Sequence, residues 1–419
     1  MQTSGPNGTK RRTRLLIDCI TSASPGVSHL QRELPLAAAM SCPVDCEVMV
    51  MRSAAQATAD AVHERLSYVD PGHRITGWRR RWRWYHRDLP TLIDRYQADV
   101  FFSQSGILSA AIAARCPTIS TVNNMLPFFP KEMDDLPILS RHRWRNLLLR
   151  QQYTRSVQLA DALLLHSHLA LAKISDYAGD VAQKSLVTHT GKPAMVAFDA
   201  KSPHPHAGKP YILYLSAMYW YKNHLALIAA YDLQLTRGVA LPDLLLAGIP
   251  HDKWYMNRVL KAIDTPRLRD HVKYIGALPA RDIGAWIHHA TINVFPSRCE
   301  TNSFVLAETL GVHGVLACSQ TPPMPEICGD AAVYFDPLDP AAMGDTISSL
   351  LRDETLRREL RQRAAKRAED FSWEACGRTI WALVPIALAN FHRNGKVARL
   401  GSTPDDLAAA SAHPAEGRR

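Results

Sequence analysis

The sequence has no hydrophobic run of the about 20 residues that a membrane-spanning helix needs. Its first apolar run, residues 15–20, is interrupted by Asp18 and follows three arginines at positions 11, 12 and 14. That run is too short and too charged for a secretory signal peptide. We therefore expect residues 1–13 to be a disordered basic tail, and we expect the protein to act in the cytoplasm.

The sequence also has no paired cysteines. Its eight cysteines are scattered, mostly within apolar segments, and the spacing of Cys42 and Cys46 has no second cysteine or histidine pair nearby. This pattern argues against a disulfide framework and against a zinc site. Cys299 adjoins Glu300, but no neighbour in the sequence would activate its thiol. We expect reduced, partly buried thiols without catalytic chemistry.

Two common ligand motifs are absent. A Gly-x-Gly-x-x-Gly segment after a strand would indicate a dinucleotide site, but residues 24–28 contain one glycine, Gly26. That glycine could let the backbone approach a phosphate closely, or it could be an ordinary loop glycine. No Asp-x-Asp triplet follows a predicted strand, and the pair Asp134 and Asp135 lies in a polar segment. The sequence therefore predicts neither an NAD site nor a metal site.

The apolar segments that are present predict an α/β fold with two Rossmann-like domains. A chain of 419 residues is long enough for two domains. Short apolar runs alternate with longer, helix-compatible stretches, which is typical of parallel sheets covered on both faces. The predicted strands are residues 15–20, 46–51, 100–103, 118–122 and 162–165, and then 211–215, 244–247, 272–275, 292–295, 314–317 and 333–335.

Composition sets the predicted domain boundaries. Proline, histidine and glycine mark residues 196–209 as a linker between a first domain at 14–195 and a second at 210–375. A closing helix is predicted at 376–393 and a disordered tail at 394–419.

The most informative segment is Phe-Pro-Ser-Arg-Cys-Glu-Thr-Asn-Ser-Phe-Val-Leu-Ala-Glu at 295–308. A strand ends at Pro296, and Ser303 is a good N-cap for the helix that follows. Glu300 then lies in the loop and Glu308 on the first or second helical turn. A helix N-terminus attracts phosphate, and carboxylates accept hydrogen bonds from hydroxyl groups. The segment could bind a ligand with both groups, although two surface glutamates would show the same spacing.

With its surroundings, this segment resembles the donor domain of the retaining glycosyltransferases of family 4, the group 1 glycosyltransferases. That domain has Glu-x7-Glu after a strand that ends in Pro-Ser. Three further segments are similar to the family in the same order, at 211–224, 324–339 and 371–373. The resemblance implies the GT-B fold, in which two Rossmann-like domains face each other across a cleft, with the acceptor on the first domain and the donor on the second.

The resemblance also implies roles for individual residues. Lys222 would hold the diphosphate, Glu300 would position the hydroxyls of the donor sugar, and Glu308 would hold the ribose. A fixed ammonium aimed at the leaving diphosphate lowers the barrier, because negative charge develops there as the glycosidic bond breaks. Lys222 and Glu300 are therefore the predicted catalytic residues. The other predicted donor-binding residues are Gly26, Ser216, Asn223, Thr301, Asn302, Ser303 and Phe304.

The chain departs from the family pattern in three places. Ser216-Ala217 stands where the family has Gly-Arg, so a second cation would have to come from elsewhere, for example from Arg298. Thr301-Asn302-Ser303 replaces a segment with two glycines, which leaves the donor sugar open. Asn123 and Asn124 lie where many relatives have a histidine beside the acceptor, and these asparagines could bind the acceptor or simply form a turn.

The resemblance implies transfer with retention of configuration, and the lack of a metal motif predicts a metal-independent reaction. The co-substrate would be a nucleotide-diphosphate sugar, either GDP-mannose-like or a UDP-sugar, with no further cofactor. The acceptor would be a saccharide or a lipid-linked saccharide in surface polysaccharide synthesis. Two alternatives remain open, a non-catalytic sensor of sugar nucleotides and a basic scaffold for membranes or nucleic acid.

The formal net charge is +10, and basic residues concentrate among aromatic residues at 78–87. In a helix, Trp78 and Trp82 would share a stripe with Tyr85, Leu89 and Leu92, while Arg79, Arg80, Arg83 and Arg87 would lie largely off it. One interpretation is a core-packed helix with a solvated basic face. The other is a helix at the surface of an anionic membrane, on the inner face of the cell membrane. Nucleic acid is an unlikely partner, because no nucleic-acid module accompanies the cluster.

Overall fold

The computed structural model describes residues 11–20, 25–52, 62–72, 75, 77–136, 138–192, 205–206, 208–396 and 398. These residues form two compact α/β units. The first unit contains the described parts of 11–128, 136–191 and 372–398, and the second contains 129–135 and the described parts of 192–371. The chain thus enters the second unit briefly at 129–135 before it completes the first.

The sheet of the first unit is parallel, and its seven strands are ordered β3-β2-β1-β4-β5-β6-β7. The central strands β4, β5 and β6 are buried along their whole length, which explains why they appear in the sequence as short apolar or β-branched runs. The strands are β1 (Thr13–Asp18), β2 (Cys46–Met51), β3 (Leu66–Val69), β4 (Val100–Ser103), β5 (Thr118–Thr121), β6 (Ala162–Leu165) and β7 (Ser185–Val187).

Helices cover this first sheet. They are α1 (Pro25–Met40), α2 (Trp78–Arg83), a π-helix (Trp84–Asp88), α3 (Leu89–Arg95), α4 (Ala110–Ala113), a 3-10 turn (Leu126–Phe128), α6 (Arg141–Leu159), α7 (His168–Ala178), a 3-10 turn (Ala182–Lys184) and α15 (Trp373–Arg393).

The last helix, α15, packs against α1 and so belongs to the first unit. A Cβ atom at Gly377 would lie 2.2 Å from the carbonyl oxygen of Ala37, so only glycine permits this approach. The indole nitrogen of Trp381 donates a hydrogen bond of 2.7 Å to the carbonyl of Ala38. The two helices are therefore held together by both close packing and a buried hydrogen bond.

The sheet of the second unit is also parallel, with its six strands in the order β10-β9-β8-β11-β12-β13. The strand order reverses between β8 and β11, which are neighbours. In such sheets ligands bind beyond the carboxyl ends of the strands at the point of reversal. The strands are β8 (Tyr211–Leu215), β9 (Asp243–Ala247), β10 (Val272–Gly276), β11 (Ile292–Phe295), β12 (Leu316–Ser319) and β13 (Ala332–Phe335).

The helices of the second unit are α5 (Pro130–Asp134), a 3-10 turn (Trp220–Lys222), α8 (His224–Thr236), α9 (Lys253–Ile263), a 3-10 turn (Ala280–Asp282), α10 (Ile283–His289), α11 (Phe304–Gly311), α12 (Met324–Cys328), a 3-10 turn (Gly329–Ala331), α13 (Pro340–Arg352), α14 (Glu354–Arg367) and a 3-10 turn (Ala368–Asp370).

The predicted fold class is confirmed, since both units have a parallel sheet with helices around it. The predicted strands are present, with β1 two residues earlier and β12 two residues later than the sequence indicated, but β3 and β7 were missed. The division differs from the predicted one, because residues 129–135 group with the second unit and α15 with the first. Most of the predicted linker and of the two predicted tails lies outside the described residues.

None of the helices that the structure describes combines the length and the hydropathy that crossing a bilayer requires. All eight cysteines are buried free thiols.

Candidate functional site

The candidate site is built from two loops of the second unit. Residues 216–223 follow β8 and residues 296–303 follow β11, so both loops leave the same edge of the sheet from neighbouring strands. The strand order reverses between these two strands, and ligands of such sheets bind beyond the carboxyl ends of the strands at that point.

The first loop is held in place by the groups around Lys222. The hydroxyl of Tyr214 donates a hydrogen bond of 2.6 Å to the carbonyl of Lys222. Asn223 has a left-handed backbone, with φ 66°, and starts α8. Its amide nitrogen donates to the carbonyls of Pro296 and Pro337, at 3.2 and 2.7 Å. Asn223 therefore ties the two site loops and a third segment together, which is a positioning role.

The two residues predicted to be catalytic are in direct contact. The Lys222 Nζ atom lies 2.5 Å from Glu300 Oε1, and both side chains are largely buried. The same ammonium group lies 5.6 Å from the ring centre of Tyr221 and 5.7 Å from that of Phe295. In these aromatic surroundings electrostatic interactions are stronger than in water. The pair thus presents a fixed cation and a fixed carboxylate side by side.

Glu308 lies on the second turn of α11, as the sequence predicted. Ser303 is the N-cap of this helix, and its hydroxyl accepts a hydrogen bond of 3.4 Å from the backbone nitrogen of Leu306. The side chain of Glu308 has no hydrogen-bond or ion-pair partner within the described part of the chain, and burial raises its pKa to about 7. Buried polar groups normally have partners, so this carboxylate is suited to receive donors from a ligand.

The remaining predicted donor residues lie on the same two loops, with one exception. Thr301, Asn302 and Phe304 are half-buried around the start of α11. Ser216 is buried directly after β8, where its backbone nitrogen bonds to the carbonyl of Ala247. Gly26 lies in the first turn of α1, which belongs to the first unit. The structure thus brings together every predicted donor residue of the second unit.

Arg298, which the sequence suggested as a source of the second cation, is paired with two carboxylates in the structure. Its guanidinium forms ion pairs with Glu132 and Asp135 from the segment 129–135. Its backbone nitrogen donates 2.9 Å to the carbonyl of Tyr221, which links the two site loops. Burial raises the pKa of Glu132, and the neighbouring Arg298 opposes that shift. The positive charge of Arg298 is thus offset by two carboxylates.

The asparagines predicted on the acceptor side have local partners in the first unit. Asn123 donates from its amide nitrogen to the carbonyl of Gln104 at 2.9 Å. The side-chain oxygen of Asn124 accepts from the backbone nitrogen of Leu126 at 3.2 Å, which is the turn arrangement that the sequence left open. Across the described residues, no group of three or more His, Cys, Asp or Glu side chains could hold a metal ion.

Four further residues near the site were not singled out from the sequence. His224 is fully buried, and burial followed by the charge of Lys222 lowers its pKa to about 3, so it is neutral. At Gly248 a Cβ atom would lie 1.9 Å from the carbonyl oxygen of Ser216, which requires glycine beside this loop. The ring of Tyr219 stacks between those of Tyr221 and His251, with centroid distances of 5.3 and 4.9 Å. The run of aromatic residues before Lys222 is the feature of the sequence that could have indicated this stack of rings.

The basic-aromatic segment is only partly packed into the first unit. Trp84, Tyr85 and Leu89 are buried, but Trp78 and Trp82 are exposed, with 75% and 55% of their surface accessible. The core-packed interpretation is therefore wrong for α2. The π-helix that follows α2 also changes the number of residues per turn. The stripe predicted for a regular α-helix therefore does not describe which side chains share a face here.

Most of the second unit is similar to a known protein family. Residues 197–368 match the family described as Glycosyl transferases group 1. The O-antigen chain mannosyltransferase B of Escherichia coli is 28% identical over 170 residues, which are 41% of this chain and 44% of that protein. The match thus spans less than half of the relative's length.

Solved structures share the fold over most of the chain. Sucrose-phosphate synthase from Thermosynechococcus elongatus has a TM-score of 0.70 at 14% identity and covers 89% of this chain and 98% of its own. The Anabaena protein Alr3699/HepE, solved in complex with UDP and glucose, has a TM-score of 0.64 at 14% identity and covers 88% and 98%. At such low identity these similarities concern the fold alone.

Proposed function

Because residues 197–368 match the group 1 glycosyltransferases, we propose that this chain transfers a sugar from a nucleotide-diphosphate sugar to a saccharide acceptor with retention of configuration. The observation that carries this proposal is the contact between Lys222 and Glu300 at the reversal of strand order. A cation for phosphate and a carboxylate for hydroxyls stand next to each other where ligands of such sheets bind.

In this proposal Lys222 stabilises the leaving diphosphate. Its ammonium donates to one carboxylate oxygen and has three N–H donors, so donors remain for a phosphate. The rings of Tyr221 and Phe295 limit the access of water to it. Negative charge on the diphosphate grows as the glycosidic bond breaks, so this cation binds the transition state more strongly than the ground state. The departing phosphate takes the acceptor proton.

The two glutamates bind hydroxyl groups of the donor. Glu300 keeps one oxygen on Lys222 and has lone pairs for the hydroxyls of the sugar. Glu308 accepts hydrogen bonds from the ribose hydroxyls. Its buried carboxylate has no hydrogen-bond donor within the described protein, and the ribose supplies one. We further propose that the reaction needs no metal ion, because Lys222 and the N-terminus of α11 can offset the charge of the diphosphate.

The proposed donor and acceptor are chosen by analogy with the relatives. One relative is named as an O-antigen chain mannosyltransferase, and one solved structure of the same fold holds UDP and glucose. We therefore propose a GDP-mannose-like or UDP-linked donor, with no other cofactor, and a lipid-linked saccharide acceptor of surface polysaccharide synthesis. The reaction would take place on the cytoplasmic side of the membrane, in a compartment where the eight buried thiols stay reduced.

The test is ligand-observed NMR of the protein with GDP-, UDP- and ADP-sugars, without added metal. We expect one nucleotide sugar to bind selectively. Lys222→Ala should weaken that binding roughly tenfold to hundredfold, because a charge-assisted bond contributes about 1.5–3 kcal/mol. Lys261→Ala removes the same charge from an exposed position on α9 and should leave binding unchanged.

The Glu300→Gln variant tests binding of the diphosphate and binding of the sugar separately. This variant should bind the bare nucleoside diphosphate at least as well as the wild type, because Lys222 loses its ion-pair partner. It should bind the nucleotide sugar more weakly and should transfer no sugar to a saccharide acceptor. Retained transfer in both Lys222→Ala and Glu300→Gln would refute the site assignment. Donor binding without turnover on any acceptor would instead indicate a sugar-nucleotide sensor.

A further inference from the structure

The positive charge of this protein is concentrated in two segments of the first unit. Residues 71–87 contain six arginines, and residues 136–160 contain five. Neither segment contains a lysine or an acidic residue. Their eleven positive charges exceed the formal net charge of +10, so the rest of the chain has a net charge of −1. The basic character of the protein is therefore a local property, not a general one.

The first segment includes α2, whose six residues are all exposed. Trp78 and Trp82 are exposed among Arg79, Arg80 and Arg81, and none of these three arginines forms an ion pair with a described residue. A short helix draws most of its stability from packing, and α2 has no buried side chain. Exposed tryptophans on such a helix indicate a surface with a missing partner.

The second segment repeats this composition around the start of α6. Ile138 and Leu139 are 73% and 86% exposed just before the helix. Trp144 and Leu148, one turn apart, are 55% and 63% exposed on the helix itself. Exposed arginines flank this apolar stripe at positions 141 and 145.

The two segments border the same part of the first unit. The hydroxyl of Ser109 bonds to the carbonyl of Tyr85, next to α2, and the backbone nitrogen of Leu108 bonds to the hydroxyl of Ser156 on α6. Burial raises the pKa of Tyr153 on α6, and the charges of Arg145 on α6 and of Arg81 on α2 both act against that shift. The loop at 105–109 thus joins the two segments.

Both segments also begin on the side of the first sheet where its strands end. The chain reaches α2 after β3 and reaches α6 after β5, and all strands of the sheet are parallel. Connections that follow parallel strands begin at the carboxyl edge, where ligands of such sheets bind. The starts of α2 and α6 therefore lie towards the same edge of the first sheet.

We propose that α2 together with residues 138–148 forms a docking surface for an anionic lipid bilayer. Tryptophans settle at the headgroup boundary, and each nearby basic residue adds about 1 kcal/mol of attraction to anionic lipid. Arginine also binds phosphate with two parallel hydrogen bonds, which fits a phospholipid headgroup. The aliphatic residues Ile138, Leu139 and Leu148 favour a bilayer over a nucleic acid, because a phosphate backbone offers them no apolar environment.

The test is co-sedimentation of the full chain with vesicles of phosphatidylcholine alone and of phosphatidylcholine mixed with phosphatidylglycerol. We expect binding to the anionic vesicles and at least tenfold weaker binding to the neutral ones. Replacement of Arg79, Arg80 and Arg81 together by alanine should weaken binding roughly 100-fold at low salt. Trp144→Ala with Leu148→Ala should weaken it also in high salt, because that contribution is apolar.

Matched controls make the test specific. A control variant removes three exposed positive charges from the second unit, through Arg281→Ala, Arg352→Ala and Arg358→Ala. This variant should change vesicle binding less than twofold. The docking-surface variants should unfold in urea at the same midpoint as the wild type, which shows that they are folded. Vesicle binding is read without any transfer assay, so the outcome is independent of the proposed function.

Three results would overturn the proposal. The wild type could fail to bind anionic vesicles, or it could bind neutral vesicles equally well. The docking-surface variants could bind like the wild type. A single-stranded oligonucleotide could bind more tightly than the anionic vesicles at the same ionic strength and displace them, which would identify the surface as a nucleic-acid site.

Discussion

Ionised Glu308 lowers the stability of the protein when no ligand is bound. Burial raises the pKa of its carboxyl group from 4.5 to about 7. The unfolded chain therefore releases this proton at lower pH than the folded chain does. Stability falls as the pH rises from about 4.5 to about 7, and above that range the full cost is present, about 3 kcal/mol. A ligand that supplies hydroxyl donors would recover part of it.

We predict that Glu308→Gln stabilises the empty protein above pH 7, because glutamine fills the same space without a charge. The free energy of unfolding, measured in urea, should exceed that of the wild type by up to about 3 kcal/mol. The difference should shrink towards pH 4.5. The same variant should bind the nucleotide sugar more weakly.

The exposed Glu369→Gln is the matched control for this pH profile and should leave it unchanged. Equal stability of Glu308→Gln and the wild type above pH 7 would show that Glu308 has a partner in the empty protein.

At the scale of elements, the cluster around Arg298 should show strong coupling. Glu132 and Asp135 both pair with this one guanidinium, so either carboxylate can offset the charge when the other is removed. We predict that Glu132→Gln and Asp135→Asn each lower the free energy of unfolding by about 1 kcal/mol or less, because one carboxylate remains beside Arg298 in each variant. The loss at Asp135 is also small because this residue is half-exposed and solvent screens its ion pair. The double variant should cost about 3 kcal/mol, because it leaves a largely buried cation without a partner.

Urea unfolding of the four proteins in this double-mutant cycle measures the coupling. The pair Glu359→Gln and Asp345→Asn, two exposed carboxylates with separate arginine partners, provides an additive control. Additive costs at Glu132 and Asp135 would mean that the two ion pairs are independent.

The sequence predicted elements best where one local rule decides the structure. Strand β11 and the cap Ser303 were predicted from a buried apolar run and from a side-chain preference, and both are present. Strands β3 and β7 were missed because they are only half-buried and contain polar residues. The exposure of Trp78 was not predictable, because it depends on how far α2 extends beyond its neighbours.

The candidate site shows the same limit. The contact between Lys222 and Glu300 was not stated from the sequence, although both residues were chosen, because 77 residues separate them along the chain. The pairing of Arg298 with Glu132 and Asp135 was missed for the same reason. Local patterns identify candidate groups, whereas tertiary contacts decide which of them are already neutralised.

At the scale of the whole molecule, the eight cysteines allow a simple test. All of them are buried free thiols in the structure. We predict that a thiol reagent such as DTNB reacts slowly with the native protein and rapidly with all eight thiols after denaturation, since reaction needs an exposed thiolate. The reagent's absorbance measures both stages. Rapid reaction of one or more thiols without denaturant would contradict the burial described for that site.

The packing of α15 on α1 has a consequence for synthesis of the protein. The first unit begins to emerge from the ribosome before the second, yet it needs residues up to Phe391, which is buried in its core, to be complete. The second unit has all its residues by position 371. The unit that is translated first is thus finished last, and until then the surface of α1 around Ala37 remains exposed to solvent or to chaperones.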